Sequence, residues 1–139
     1  MGFLKFIDKI NHGRPGKIFP VVVIVLLGAI AYYYVQQDRK RLFNNKIFTT
    51  GEIYDYTMVA RSSATNFICR FYVGGVKYSF SQVVREVNRA YADDFVGKTF
   101  PVIYEKENPS NCELLLVPEN FQQINMPFPD SLNWVRKCH

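Results

Sequence analysis

The sequence predicts an α+β chain: an N-terminal single transmembrane helix, then a small antiparallel β-sheet or partly open barrel carrying one amphipathic helix. Three observations predict it. Ile18–Val35 is a charge-free run of 18 residues, long enough as a helix to cross a bilayer core. Asn66–Phe80 alternates apolar and polar residues on both sides of a Gly-Gly pair, the pattern of a hairpin with one buried face. The apolar spacing then changes from two residues to a helical period over Val84, Val87, Tyr91 and Phe95.

Residues 1–17 read as a short basic amphipathic segment, with Phe3, Leu4, Phe6, Ile7 and Ile10 suited to the surface of a leaflet. Residues 18–35 are the spanning helix. Pro20 falls in its first turn, where a missing N–H costs little. Tyr32, Tyr33 and Tyr34 sit at its far end, where amphipathic rings suit the headgroup level. Lys17 before the run and Arg39, Lys40 and Arg41 after it complete the expected membrane-interface set. Two other readings of the run exist. Ala29-Ile30-Ala31 has the form of a signal-peptidase site, but cleavage there would leave a chain starting with three tyrosines. A buried soluble helix would need a polar face, which the run lacks. Flanking charges tie, with Lys5, Lys9, Arg14 and Lys17 on one side and Arg39, Lys40, Arg41 and Lys46 on the other. The default for a short N-terminal signal-anchor places the downstream domain outside.

The charge distribution bears on partners. Residues 1–46 carry eight basic and two acidic side chains, and the remaining nine basic and ten acidic ones lie in 47–139. The basic excess therefore flanks the apolar run, where it meets lipid headgroups. The domain offers no footprint for a phosphate backbone, so nucleic acid is not an expected partner.

Residues 36–46 form a basic juxtamembrane linker, and 47–117 the β-rich domain. Phe48–Met58 is its first strand, with Tyr54, Tyr56 and Met58 on one face. The hairpin follows. Val73 pairs with Val76, Phe71 with Tyr78 and Cys69 with Phe80, which leaves Arg70, Tyr72, Lys77 and Ser79 on the wetter side. A helix is expected near 82–96, capped by Ser81 and stopped by Gly97. Thr99–Glu105 and Cys112–Val117 make a second strand pair around a turn at Asn108-Pro109-Ser110-Asn111. Pro101 suggests that the first of these is an edge strand or carries a bulge. The tail, 118–139, contains Pro127 and Pro129 and closes on a short turn with Leu132, Trp134 and Val135.

The residues Gly97, Val102-Ile103-Tyr104, Asn108-Pro109 and Leu114–Leu116 resemble the signature of a bacterial family of membrane-anchored domains of unknown function. Gly51-x-Ile53 is similar to that family's first strand, and Tyr72-x-Gly74-Gly75-x-x-Tyr78 to its central hairpin. The resemblance covers roughly residues 51–117. It implies a small β-rich domain beside a membrane helix, and it implies no activity. The expected location is the bacterial inner membrane. The segment at 82–96 is longer than in the family pattern, and no second apolar run follows.

Catalytic sets are hard to assemble from this chain. The two histidines are His12 and His139, so a Ser-His or Cys-His pair within the domain is not expected, and no metal or cofactor is expected. Of three cysteines, Cys69 reads as a core residue and Cys112 as an exposed thiol without a base. A bridge between Cys112 and Cys138 stays open. Glu105 and Glu107 share a strand face, but a domain of this size offers no deep cleft for a carboxylate pair.

The expected function is therefore binding: a non-catalytic, membrane-anchored protein-interaction module, either an accessory subunit of an envelope complex or an immunity protein neutralising a toxin. Its expected partners are the lipid bilayer and a protein. Candidate partner-binding residues are Arg70 and Tyr72 on the hairpin and Phe121, Met126, Phe128 and Trp134 in the tail. The other reading of that tail is a flap that wraps back over the sheet to supply apolar area. The alternative function is a tethered sensor holding a lipid or small ligand between helix and sheet, lined by Phe67, Phe71, Tyr78, Tyr91 and Phe95. A thiol enzyme using Cys112 is the third hypothesis.

Overall fold

The computed structural model describes residues 18–139; the amphipathic segment expected at 1–17, and Lys17 with it, lies outside them. The chain divides after Arg39 into two units. The first belongs to helix α1, Ile18–Asn44. It is long and apolar enough to cross a membrane, and every side chain from Phe19 to Val35 is exposed.

In the second unit the last turn of α1 joins the domain. Leu42 is buried in the core and Phe43 packs against it. Asn45 alone separates the helix from strand β1, Lys46–Met58, and its carbonyl accepts a bond from Lys106 N at 3.1 Å. The basic stretch 36–46 is thus mostly helix, through Asn44.

Strand β1 organises the sheet by serving two neighbours in turn. Lys46–Glu52 pairs antiparallel with β4, Thr99–Glu105, and Glu52–Met58 pairs antiparallel with β2, Thr65–Val73. The two ladders overlap at Glu52, and beside it at Gly51 a Cβ would meet Val102 Cγ2 at 2.7 Å and the Arg70 carbonyl at 3.3 Å. Only glycine lets the two neighbouring strands approach so closely. A bulge between Ile53 and Asp55 follows, which sharpens the bend.

The hairpin of β2 with β3, Val76–Val84, has the expected register throughout. Gly74 and Gly75 both take positive φ, +55° and +80°, as a two-residue type I′ turn requires. Phe67, Cys69 and Phe71 are buried, Val73, Tyr78 and Phe80 half-buried, and Val76 beside the turn is exposed.

The helix expected near 82–96 is not formed as such. Val83 and Val84 instead extend β3, opposite Asn66 and Thr65, which suits their β-branched side chains. What remains is one 3₁₀ turn, Arg89–Tyr91, capped by Asn88, and the single turn α2, Ala92–Phe95. Val84, Val87 and Phe95 are buried as their spacing suggested, while Tyr91 is exposed.

Strand β4 runs over the expected residues, but β5 is Asn108–Leu114 and the turn is Lys106-Glu107. Between Glu105↔Asn108 and Tyr104↔Cys112 the register slips, so Pro109–Asn111 bulge outward where the sequence suggested a turn. Pro101 sits on an interior strand rather than an edge. Its carbonyl accepts Leu115 N at 2.9 Å. Its missing N–H would point the same way, past the end of β5, so nothing is lost.

The strand order is β3-β2-β1-β4-β5, and the sheet curls until β3 and β5 meet, nearly closing a barrel. These two run in the same direction and share no backbone ladder. The Gln82 side chain fills the role: Nε2 donates to Leu114 O at 3.0 Å, and Leu114 N donates to Oε1 at 2.8 Å. The result is a five-stranded antiparallel sheet nearly closed into a barrel, with small helical turns between β3 and β4.

The tail wraps back. Phe121 in α3, Pro118–Gln123, is fully buried and meets Phe128 edge-on at 5.4 Å. Ile103 points away from the interior set Phe100, Val102 and Tyr104, yet is fully buried, so a second layer covers β4. The final 3₁₀ segment, Asp130–Cys138, buries Leu132, Val135 and Cys138. Its Trp134 packs on Phe95 at 4.9 Å, and Cys138 O accepts Asn88 N at 2.6 Å.

Two stability outcomes follow. Gln82→Leu leaves both backbone groups of Leu114 without partners and lowers unfolding free energy by about 1–3 kcal/mol in denaturant titrations. Gly51→Ala costs roughly 1–3 kcal/mol through overpacking. Adding Val102→Ala to it costs less than the sum of the two single changes, because the clashing methyl is gone.

Candidate functional site

The outer face of β1 and β2 carries an exposed group of aromatic and charged side chains. Glu52 stands opposite Arg70 in the register. The Arg70 guanidinium donates to one Glu52 carboxylate oxygen through Nε at 3.2 Å and Nη2 at 3.0 Å. It also lies over the Tyr54 ring, 5.3 Å from its centroid. The bond to Glu52, then its charge, raises the Arg70 pKa. Tyr72 stands two residues along β2 on the same face and is 58% exposed. The result is a rigid amphipathic surface in which one cation is already neutralised and two phenol rings face solvent.

The tail residues do not join this surface. Phe121 is buried and cannot meet a partner. Trp134 is half-buried, with the Lys98 ammonium 3.9 Å above its ring. Phe128 is half-buried beneath the Arg136 guanidinium at 4.9 Å. Met126 is exposed. Of the six residues singled out in the sequence, only Arg70 and Tyr72 share this exposed face, while Phe121 and Phe128 meet each other within the folded tail. Tyr54 and Glu52 complete their group. Strict alternation assigned Tyr54 to the face of Tyr56 and Met58, and the bulge after Ile53 separates it from them. Tyr56 instead donates to Asp93 Oδ1 at 2.9 Å, a bond that raises its phenol pKa.

The space expected to hold a sensor ligand is filled by rings. Phe67 packs on Phe95 at 5.2 Å and Phe71 on Tyr78 at 5.5 Å, while Tyr91 is exposed. An open groove of about 440 Å³ lies elsewhere, between Gly97–Phe100 and Ser131, Leu132 and Trp134.

The thiols are held neutral. Burial pushes both Cys69 and Cys112 up to about 12, and Cys112 rests 3.7 Å from Ser110 O. All three cysteines are free. Among the described residues no group of three His, Cys, Asp or Glu side chains could hold a metal ion.

No protein-family model, no curated protein and no solved structure matches this chain.

A thiol at about 12 has roughly one part in ten thousand as thiolate at pH 8. Iodoacetamide at pH 8 is therefore expected to spare Cys69 and Cys112 in the folded protein and to alkylate both in guanidinium, as read by mass spectrometry. The ordinary thiol value is 9.0 and the folded values are raised. The stability tied to the neutral thiols is thus complete below about pH 9 and lost as pH climbs through 12.

Proposed function

We propose that this protein is a non-catalytic, membrane-anchored interaction module whose β1–β2 face holds a protein partner at the membrane surface. The observation that carries the reading is Tyr72, 58% exposed on a regular strand beside Tyr54 and the ion-paired Arg70. Aromatic and arginine side chains fixed by a sheet lose little freedom on binding and dominate interface energetics. The neutralised charge favours a partner surface that stacks and hydrogen-bonds over one that is strongly acidic.

Anchoring rests on α1. Phe19–Val35 would lie in lipid, Tyr32–Tyr34 at the headgroups, and Arg39, Lys40 and Arg41 against their phosphates, with Lys17 at the opposite leaflet. The resemblance at residues 51–117 and the signal-anchor default favour the bacterial inner membrane with the barrel in the periplasm. In that setting the partner is a larger envelope complex, or a toxin that the protein neutralises. The chemistry of the thiols supports a binding role: neutral, buried sulfur is a poor nucleophile.

Mild solubilisation of native membranes, with affinity recovery of the tagged chain, tests both parts. The wild type is expected to bring down a stoichiometric partner, and Tyr72→Ala to weaken that capture at least tenfold with unchanged thermal unfolding, since a central aromatic is worth about 2 kcal/mol or more. Recovery of the wild type as an isolated monomer in every mild detergent sinks the module. Mature protein starting at Tyr32 sinks the anchor.

A further inference from the structure

One row of backbone groups in the barrel has no partner. Strand β3 ends the strand order and pairs only with β2. The type I′ turn makes Val73 and Val76 a hydrogen-bonded pair, so Phe71–Tyr78, Cys69–Phe80 and Phe67–Gln82 are bonded pairs as well. The N–H and C=O groups of Lys77, Ser79, Ser81 and Val83 therefore point away from β2. Among the described residues no other backbone bond reaches any of these four. Val83 lies beside the Gln82–Leu114 closure, which leaves Lys77–Ser81 as an open edge.

Such an edge is usually blunted by proline, a bulge or several charges. Strand β5 is blunted in this way, by Pro109 and the slip at residues 109–111. Strand β3 is not: its register runs from Val84 to Val76 without a shift, and its one charge is Lys77.

We propose that this edge is a self-association surface, on which β3 of a second copy pairs antiparallel across a two-fold axis at Ser79. Symmetry and charge select this occupant. The three open residues, Lys77, Ser79 and Ser81, are centred on Ser79. Antiparallel pairing about that centre sets Ser79 against Ser79 and each Lys77 against the partner's Ser81. The two ammonium groups stand about 14 Å apart along the strands, so no like charges meet, and the exposed hydroxyls of Ser79 and Ser81 leave room on the outer face. A self-complementary patch is what a two-fold interface needs. A shared membrane plane raises the local concentration of copies with a common orientation, but the pairing geometry does not depend on the anchor.

Cysteine pairs in the full chain, reconstituted in liposomes and oxidised with copper phenanthroline, test the register. Antiparallel bonded partners have Cα atoms about 5.5 Å apart, within disulfide reach. Ser79→Cys is expected to form a covalent dimer well above the wild-type background of the three native cysteines. Lys77→Cys alone is expected to give no more than background, and a mixture of Lys77→Cys with Ser81→Cys to cross-link. Ser79→Lys sets two ammonium groups across the axis on an exposed position. It is expected to convert the non-covalent dimer seen by light scattering to monomer with unchanged thermal unfolding. The proposal is overturned by Ser79→Cys at background, by Lys77→Cys linking to itself as readily, by Ser79→Lys leaving the dimer intact, or by Ser79→Cys linking only to a different chain. Tyr72 stands opposite Lys77 and Arg70 opposite Ser79, so the two readings are told apart by what is read: capture of a different chain for the β1–β2 face, and cross-links between copies of this chain for the β3 edge.

Discussion

A sheet of five strands that curls into a barrel must reconcile its first and last strands, and here a single side chain does so. Because β3 and β5 run in the same direction and share no ladder, Gln82 supplies both a donor and an acceptor to Leu114. The amide acts as a spacer, with one polar group of each kind satisfied in a region that is otherwise apolar. The remaining packing depends on this closure. With β3 held to β5, Phe67, Phe71, Val102 and Tyr104 face one another across a closed interior. Phe95 can then plug one end, and Trp134 can cover Phe95. An open sheet would leave those rings in water.

Local rules made the hairpin legible. Alternation, a two-glycine turn and paired apolar positions all agree in the segment from Asn66 to Phe80, and consistency between levels marks a segment whose structure is settled early. The segment after it misled because Val84, Val87, Tyr91 and Phe95 fit a helical wheel, while Val83 and Val84 had a partner strand in Asn66 and Thr65. Tertiary pairing won over local period, as it does for β-branched residues beside an open strand. The Gln82 clip could not be foreseen. Nothing in the local pattern says that the amide of a half-buried glutamine will meet a backbone 32 residues away.

The site was half legible for a related reason. Arg70 and Tyr72 stand on the wet face of a hairpin whose register the sequence sets. Tyr54 shares the parity of Glu52, but strict alternation also grouped it with Tyr56 and Met58, which the bulge after Ile53 turns away, and bulges leave little trace in composition. The tail aromatics were ambiguous for the opposite cause. Phe121 and Trp134 are the residue types that bind partners, and equally those that complete a small core. A domain of this size resolves the ambiguity inward, since it has little other apolar area to bury. The same logic reinterprets the family-like residues. Gly51 is a close approach, Gly74-Gly75 a turn, Val102 and Tyr104 interior packing, and Asn108-Pro109 the start of a bulge. These residues specify a barrel, and a barrel hosts many functions.

Size sets the last constraint. Tyr54, Arg70 and Tyr72 make a patch well short of the roughly 800 Å² per partner typical of stable complexes formed from free solution. A face so small would release its partner quickly if both diffused in three dimensions. The proposed confinement to one bilayer would change the arithmetic, because a tethered encounter proceeds at an effective concentration in the millimolar range for short links. Only six residues lie between Val35, the last of the apolar run, and Leu42, which is buried in the barrel core. Even fully extended, that stretch reaches no further than about 25 Å. On the proposed anchoring, a partner held in the same membrane would meet this face repeatedly. A modest, charge-balanced surface would suffice there, and a larger or stickier one would cost the barrel its solubility.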